Sequence, residues 1–139
     1  MTHPYKIIGL DHVVIRARNV EIMLDFYMHV IGCSVEKSLE KLGLYQLRAG
    51  RSLIDLVDVL GELGQKGGAA PGSKGHNMDH LCLRIDPWII GDIQDHFKAC
   101  GVDTGPVEKR NGAEGEGPSL YFHDPEGNMI EFKGPADSE

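Results

Sequence analysis

The chain has 139 residues, enough for one domain or for two small modules that share a core. Hydrophobic residues make up 41% and charged residues 25%, the balance of a globular protein with a packed interior. The net charge of −7 and the lack of a basic stripe exclude nucleic acid and anionic membranes as partners, and no apolar run is long enough to span a bilayer.

In chain order, Ile7 to Ala17 reads as a strand rich in β-branched residues. Asn19 is placed to cap a helix from Val20 to about Ile31, with Met23, Phe26, Tyr27 and Val30 as its apolar stripe and Gly32 at its stop. Three strands follow over Ser34–Leu39, Gly43–Arg48 and Ser52–Asp58. The stretch Gly61–Gly75, rich in Gly, Ala, Pro and Lys, is a linker or mobile loop. The order then repeats. Asn77–Ile85 is a strand. Asp86 and Pro87 suit an N-cap and first helical position, and Ile89, Ile90, Ile93, Phe97 and Cys100 form the next stripe, ended by Gly101. Strands are expected near Asp103–Glu108, Pro118–Phe122 and Asn128–Lys133, with Asp124-Pro125-Glu126-Gly127 as a turn. The fold class is therefore α+β: two tandem βαβββ modules, about 5–60 and 76–134, joined by a linker at about 61–75 within a single domain spanning 1–139.

The repeat is also literal. Leu10-Asp11-His12-Val13-Val14-Ile15-Arg16 returns as Met78-Asp79-His80-Leu81-Cys82-Leu83-Arg84. Ser52-Leu53-Ile54-Asp55-Leu56 is echoed by Asn128-Met129-Ile130-Glu131-Phe132. Each module thus opens a strand with a His and ends one with a carboxylate. Strand alternation places Val13 and Ile15 on one face and His12, Val14 and Arg16 on the other, and does the same for Leu81 and Leu83 against His80, Cys82 and Arg84. Asp55 and Glu131 likewise point away from the apolar faces of their strands. Singly, each of these is an ordinary histidine or a solvated acid. Matched in position and parity in both halves, His12, Asp55, His80 and Glu131 make a candidate set of metal ligands. Imidazole with carboxylate suits one divalent metal (Zn, Ni, Co, Mn or Fe), and the absence of Cys from the set argues for a catalytic rather than a structural site.

Arg16, Arg84, Arg48 and Arg110, with Ser119 and Tyr121, are candidate contacts to a small-molecule substrate, since an Arg on such a face can grip a carboxylate or phosphonate. The competing assignment pairs these arginines with Asp11 or Asp79, or leaves them solvated. Residues 112–117, glycine-rich but without Lys, form no phosphate loop and suit a flexible loop able to close over substrate. His3, His29, His76, His96 and His123 have no repeat partner and are expected at the surface, with His76 and His123 near the site mouth. Cys33, Cys82 and Cys100, odd in number and without a Cys-x-x-Cys, are expected as reduced, mostly buried thiols of a cytoplasmic protein.

These residues resemble the vicinal oxygen chelate superfamily, which includes glyoxalase I, bleomycin-resistance proteins, fosfomycin-resistance enzymes and extradiol dioxygenases. The resemblance spans nearly the whole chain. It is carried by Gly9-Leu10-Asp11-His12-Val13-Val14, Phe26-Tyr27, Val30-Ile31-Gly32 and Met78-Asp79-His80, and most specifically by Leu120 to Glu131. It implies paired modules forming a cupped mixed sheet around a divalent metal. The glyoxalase I pattern implies ligands at His12, Asp55, His80 and Glu131, with Asp55 standing where that pattern has Glu. The fosfomycin-resistance and dioxygenase patterns imply His12, His80 and Glu131 alone. The implied activity is glyoxalase-like, a lyase or isomerase reaction through an enediolate or alkoxide, with Glu131 as base and glutathione as co-substrate of the glyoxalase I type. Fosfomycin-type ring opening, ring-cleaving dioxygenation and metal-free drug binding are the alternatives. The resemblance also implies a homodimer in which His12 of one chain meets His80 and Glu131 of the other.

Overall fold

The computed structural model describes residues 2–138. The first module comprises β1 (His12–Ala17), α1 (Val20–Phe26), β2 (Ser34–Leu39), β3 (Leu44–Ala49) and β4 (Ser52–Asp58). The second comprises β5 (Leu81–Arg84), α2 (Ile90–Ala99), β6 (Glu108–Arg110), β7 (Gly117–His123) and β8 (Met129–Lys133). Each module makes one four-stranded sheet, in the orders β1-β4-β3-β2 and β5-β8-β7-β6. In both, the first strand runs parallel to the last and the remaining pairs are antiparallel. The duplicated βαβββ plan is thus present strand for strand. Among the described residues no helix is long and apolar enough to cross a membrane.

Asn19 caps α1 as its residue type requires, its side chain accepting from the Ile22 N–H at 3.2 Å. The helix then widens into a π-turn over Tyr27–Ile31 and stops at Gly32, whose φ of 97° is open to glycine. Two expected boundaries move. α2 begins at Ile90 without a cap from Asp86, because the Trp88 ring lies against the Gly134 backbone and holds the entry segment extended. β1 begins at His12 rather than Ile7, and among the described residues nothing covers the apolar residues before it: Ile7 is 87% and Ile8 100% exposed. The second strand of the second module is also later than expected, at Glu108–Arg110, past Pro106, which has no N–H to give a ladder.

The inward faces of both sheets and both helices fuse into one core. Ile15, Met23, Leu47, Ile54 and Leu56 supply it from the first module, and Phe97, Leu120, Phe122, Ile130 and Phe132 from the second. A polar seam crosses between modules beside this core. The Tyr27 hydroxyl donates to Asp124 Oδ2 at 2.8 Å, and Asn128 Nδ2 donates to the same oxygen at 2.8 Å. Asn77 donates to Asn128 Oδ1 and brackets the Arg16 backbone, donating to its carbonyl and accepting from its N–H. Burial first, then Asp124, pushes the Tyr27 phenol far above its ordinary pKa, so it stays a donor. All three cysteines are free thiols, but only Cys33 is buried, while Cys82 and Cys100 are exposed. The expectation of mostly buried thiols is corrected for those two, since Cys82 lies on the outward face of β5 and Cys100 at the end of α2.

Candidate metal centre

The face parity read from alternation holds. Ile15 and Ala17 are buried while His12 and Val14 are exposed, and Ile54 and Leu56 are in the core while Asp55 lies opposite them. Register pairs Val14 with Asp55 and Cys82 with Glu131, so each His sits two residues before the strand partner of its module's acid. The two modules present equivalent half-sites.

In the second module, His80 Nδ1 lies 2.5 Å from Asp79 Oδ2 and Nε2 lies 3.2 Å from Glu131 Oε1. A carboxylate on Nδ1 is the partner that orients a metal-binding imidazole, and it would leave Nε2 to ligate a cation beside Glu131. A separation of 3.2 Å is what two adjacent donors take when each bonds one cation at roughly 2.1 Å. Glu131 is 4% exposed, and the fully buried Ser119 donates to its Oε2 at 2.6 Å. Tyr121 lies edge-on to the His80 ring at 5.9 Å. Burial, and then its hydrogen bond to Glu131, raises the Tyr121 pKa. Burial and then the charge of Glu131 push the Cys82 thiol up to about 11.

In the first module, His12 Nδ1 donates to Asp11 Oδ1 at 2.7 Å. That bond, and then the charge of Asp55, raises the His12 pKa. Asp55 is 3% exposed; its Oδ2 accepts only a long 3.4 Å bond from Gln46, and its Oδ1 is buried with no partner. A buried carboxylate oxygen without a donor is costly unless a cation meets it. Both half-sites therefore fit a divalent cation in donor chemistry. Among the described residues no group of three or more His, Cys, Asp or Glu side chains is arranged so that it could hold a metal ion within a single chain.

The arginines resolve differently. Asp11 and Asp79 serve the histidines and not the arginines, which overturns that alternative pairing. Arg16 is held by the linker: its guanidinium donates to the Gly64, Gly68 and Ala69 carbonyls, each at 2.9 Å, while Nε is buried and unpaired. Gly67 lies so close that a Cβ there would stand 2.5 Å from the guanidinium carbon. Arg48 pairs with Glu36 at 3.1 Å, Arg84 with Glu114 at 2.9 Å, and Arg110 with Glu108 while stacking over Tyr121. Ser119 and Tyr121 meet at Glu131. The residues missed by sequence reasoning are Gln46 and Lys133. Both fall on the outward parity of their strands, which was the available signal.

A cavity lies at each half-site. The one at Asp55, about 310 Å³, is walled by Val14, Leu44, Val57 and Leu63 with the Arg16 stem. The one at Glu131, about 280 Å³, is walled by His80, Cys82, Arg84, Lys133 and the loop Asn111–Glu114.

Residues 9–132 match the family model described as the Glyoxalase/Bleomycin resistance protein/Dioxygenase superfamily. The glyoxalase domain-containing protein RDO1 of Mycosarcoma maydis is 32% identical over 141 residues, covering 94% of this chain and 70% of that protein. Virulence protein STM3117 of Salmonella typhimurium is 33% identical over 126 residues, covering 88% of this chain and 81% of that one. Its crystal structure superposes with a TM-score of 0.79 over 95% of this chain and all of that one, at 27% identity. An integron cassette protein from V. cholerae superposes with a TM-score of 0.76 at 27% identity, over 95% of this chain and 98% of its own.

Proposed function

The chain belongs to the glyoxalase/bleomycin resistance protein/dioxygenase superfamily, and on that premise we propose that it is a divalent-metal-dependent enzyme of the glyoxalase-like, lyase or isomerase class. The observation that carries this reading is the pair of half-sites in which an Asp orients each His and a buried carboxylate faces outward beside it. His12, Asp55, His80 and Glu131 would hold the metal. The metal, when bound, supplies Lewis-acid stabilisation of negative charge that develops on substrate oxygens.

The residues of the chain do the rest. Glu131 is the proton carrier: it lines the cavity, with Oε1 beside His80 Nε2 and Oε2 fixed by Ser119. Burial of Glu131 excludes water from that transfer. Asp11 and Asp79 keep the imidazoles in one tautomer.

The assembly we propose is a homodimer with shared sites, His12 and Asp55 of one chain meeting His80 and Glu131 of the other. Two observations support it. Among the described residues no group of three or more potential ligands is arranged to hold a metal within one chain. Tyr5, Ile7, Ile8 and Leu10 form an exposed apolar segment ahead of β1, of the kind that a partner covers. The common substrate of glyoxalase I, a glutathione adduct, fits poorly. Asp55 stands where the glyoxalase I pattern has Glu, one methylene longer, and the cavity beside it is walled by aliphatic side chains. Turnover of methylglyoxal with glutathione should accordingly be weak; high turnover contradicts this part of the reading.

Elemental analysis of protein purified without chelator tests the metal. One divalent ion per pair of half-sites is expected, and none in His80→Ala. Equal, negligible metal in both proteins removes the enzyme reading and leaves a metal-free binder. Co-expression of a His12→Ala chain with a Glu131→Ala chain tests the sharing. In mixed dimers one site collects both lesions and the other is intact, so metal binding partly returns. Mixed dimers as metal-free as each parent place the sites within single chains.

A further inference from the structure

We propose that Lys133 is the anchor for an oxyanion group, a carboxylate or a phosphonate, carried by the substrate of the Glu131 half-site. Lys133 is the second residue after Glu131 on β8 and points to the same face. It is 5% exposed, yet it pairs with no carboxylate and enters no side-chain hydrogen bond among the described residues. The neighbouring Glu114 is committed to Arg84, and Glu131 to Ser119 and His80. The Lys133 side chain lines a cavity of about 280 Å³, and among the described residues no carboxylate lies within ion-pair distance of its ammonium, so an anion entering that cavity meets an uncommitted cation.

The duplication supplies an internal control. Register places Lys133 opposite Ser119 and Arg84. The same positions of the first module are Val57, opposite Leu44 and Arg16. The fold accepts an apolar pair there, so neither Lys133 nor Ser119 is required for packing. The two halves have diverged into an apolar cavity and one lined by charged side chains, in which Lys133 is the cation not paired with a carboxylate among the described residues. The loop over the second cavity is shaped for the lysine. A Cβ on Gly112 would lie 2.5 Å from Lys133 Cε, and one on Gly117 would lie 3.0 Å from Nζ. A stem that only covered apolar surface would release its ammonium to water. Here two glycines give it room inside the cavity that also holds Glu131 and His80. An oxyanion on Lys133 therefore lies in the same cavity as the proton-carrying Glu131, which defines the substrate as a small anionic molecule. That link to the substrate rests on the metal-enzyme reading; the anion site itself does not.

The test is a titration of ¹⁵N-labelled protein with methylphosphonate and, separately, with acetate, following the amides of Gly112, Gly117 and Gly134. It is run on protein as purified and on protein with Zn²⁺ added. Wild type should give saturable shifts, and the probe that saturates first names the headgroup. Lys133→Met should weaken the binding by at least about tenfold, the loss of one charge-assisted contact. Gly112→Ala, which keeps the charge but displaces it, should weaken it as well. The proposal is overturned if Lys133→Met titrates like wild type or if wild type shows no saturable shift. Anion binding without metal uptake would remove the enzyme reading and keep this site. Metal uptake without anion binding would do the reverse.

Discussion

Replacing Asp55 with Leu should stabilise the metal-free protein and destabilise the metal-loaded one relative to wild type. Asp55 is 3% exposed, with Oδ1 lacking any partner and Oδ2 holding one long bond to Gln46. A buried polar group left unsatisfied costs about 1–3 kcal/mol. Leucine has matching neighbours in Val14, Leu44, Val57 and Leu63, and the adjoining cavity of about 310 Å³ takes its extra bulk. Gln46 is only half-buried and can turn to water for its lost partner. The net gain is about 2 kcal/mol, which for a chain of this size is roughly 6–8 °C in melting temperature. With metal at about 1,000 times its Kd, wild type gains about 4 kcal/mol that the variant forgoes, so the order reverses. Circular dichroism melts with EDTA and with Zn²⁺, at one fixed protein concentration, read both halves of this expectation. A variant that melts below wild type in EDTA would mean that the fold satisfies Asp55 itself, and the reasoning fails. Equal metal-induced shifts in the two proteins would show that Asp55 is not a ligand.

Ser119→Ala removes the 2.6 Å bond that fixes Glu131 and should weaken metal binding by the ~10–100-fold typical of outer-shell partners, measured by metal titration. Tyr27→Phe deprives Asp124 of a buried donor and should cost about 2 kcal/mol at fixed metal content, seen as a lower urea midpoint with unchanged slope. Cys82 is exposed but its thiol is raised to about 11, so only on the order of 0.1% is thiolate at pH 8. Its alkylation by iodoacetamide should be slow at neutral pH and climb steadily to about pH 11; fast labelling of Cys82 at pH 7, read by mass spectrometry, contradicts that assignment.

Much of the fold was legible because its signals are local. Alternation with period two fixed which face His12, Asp55, His80 and Glu131 occupy, and the literal repeat fixed their equivalence. Asn19 and Gly32 marked α1 through capping chemistry confined to a few residues. What escaped the sequence depends on partners distant in the chain. Arg16 meets carbonyls 48 to 53 residues away, and Arg84 meets Glu114 across a loop. No periodicity encodes those choices, so four exposed-face arginines looked equally available for substrate. The start of β1 escaped for a related reason: Ile7 and Ile8 carry strand propensity, but propensity gives no partner strand, and one chain offers none. Lys133 shows the division most sharply. Its parity was readable, but its place in the Glu131 cavity, clear of any carboxylate partner among the described residues, arises only when β8 is registered between β5 and β7 and the 112–117 loop comes up against its stem.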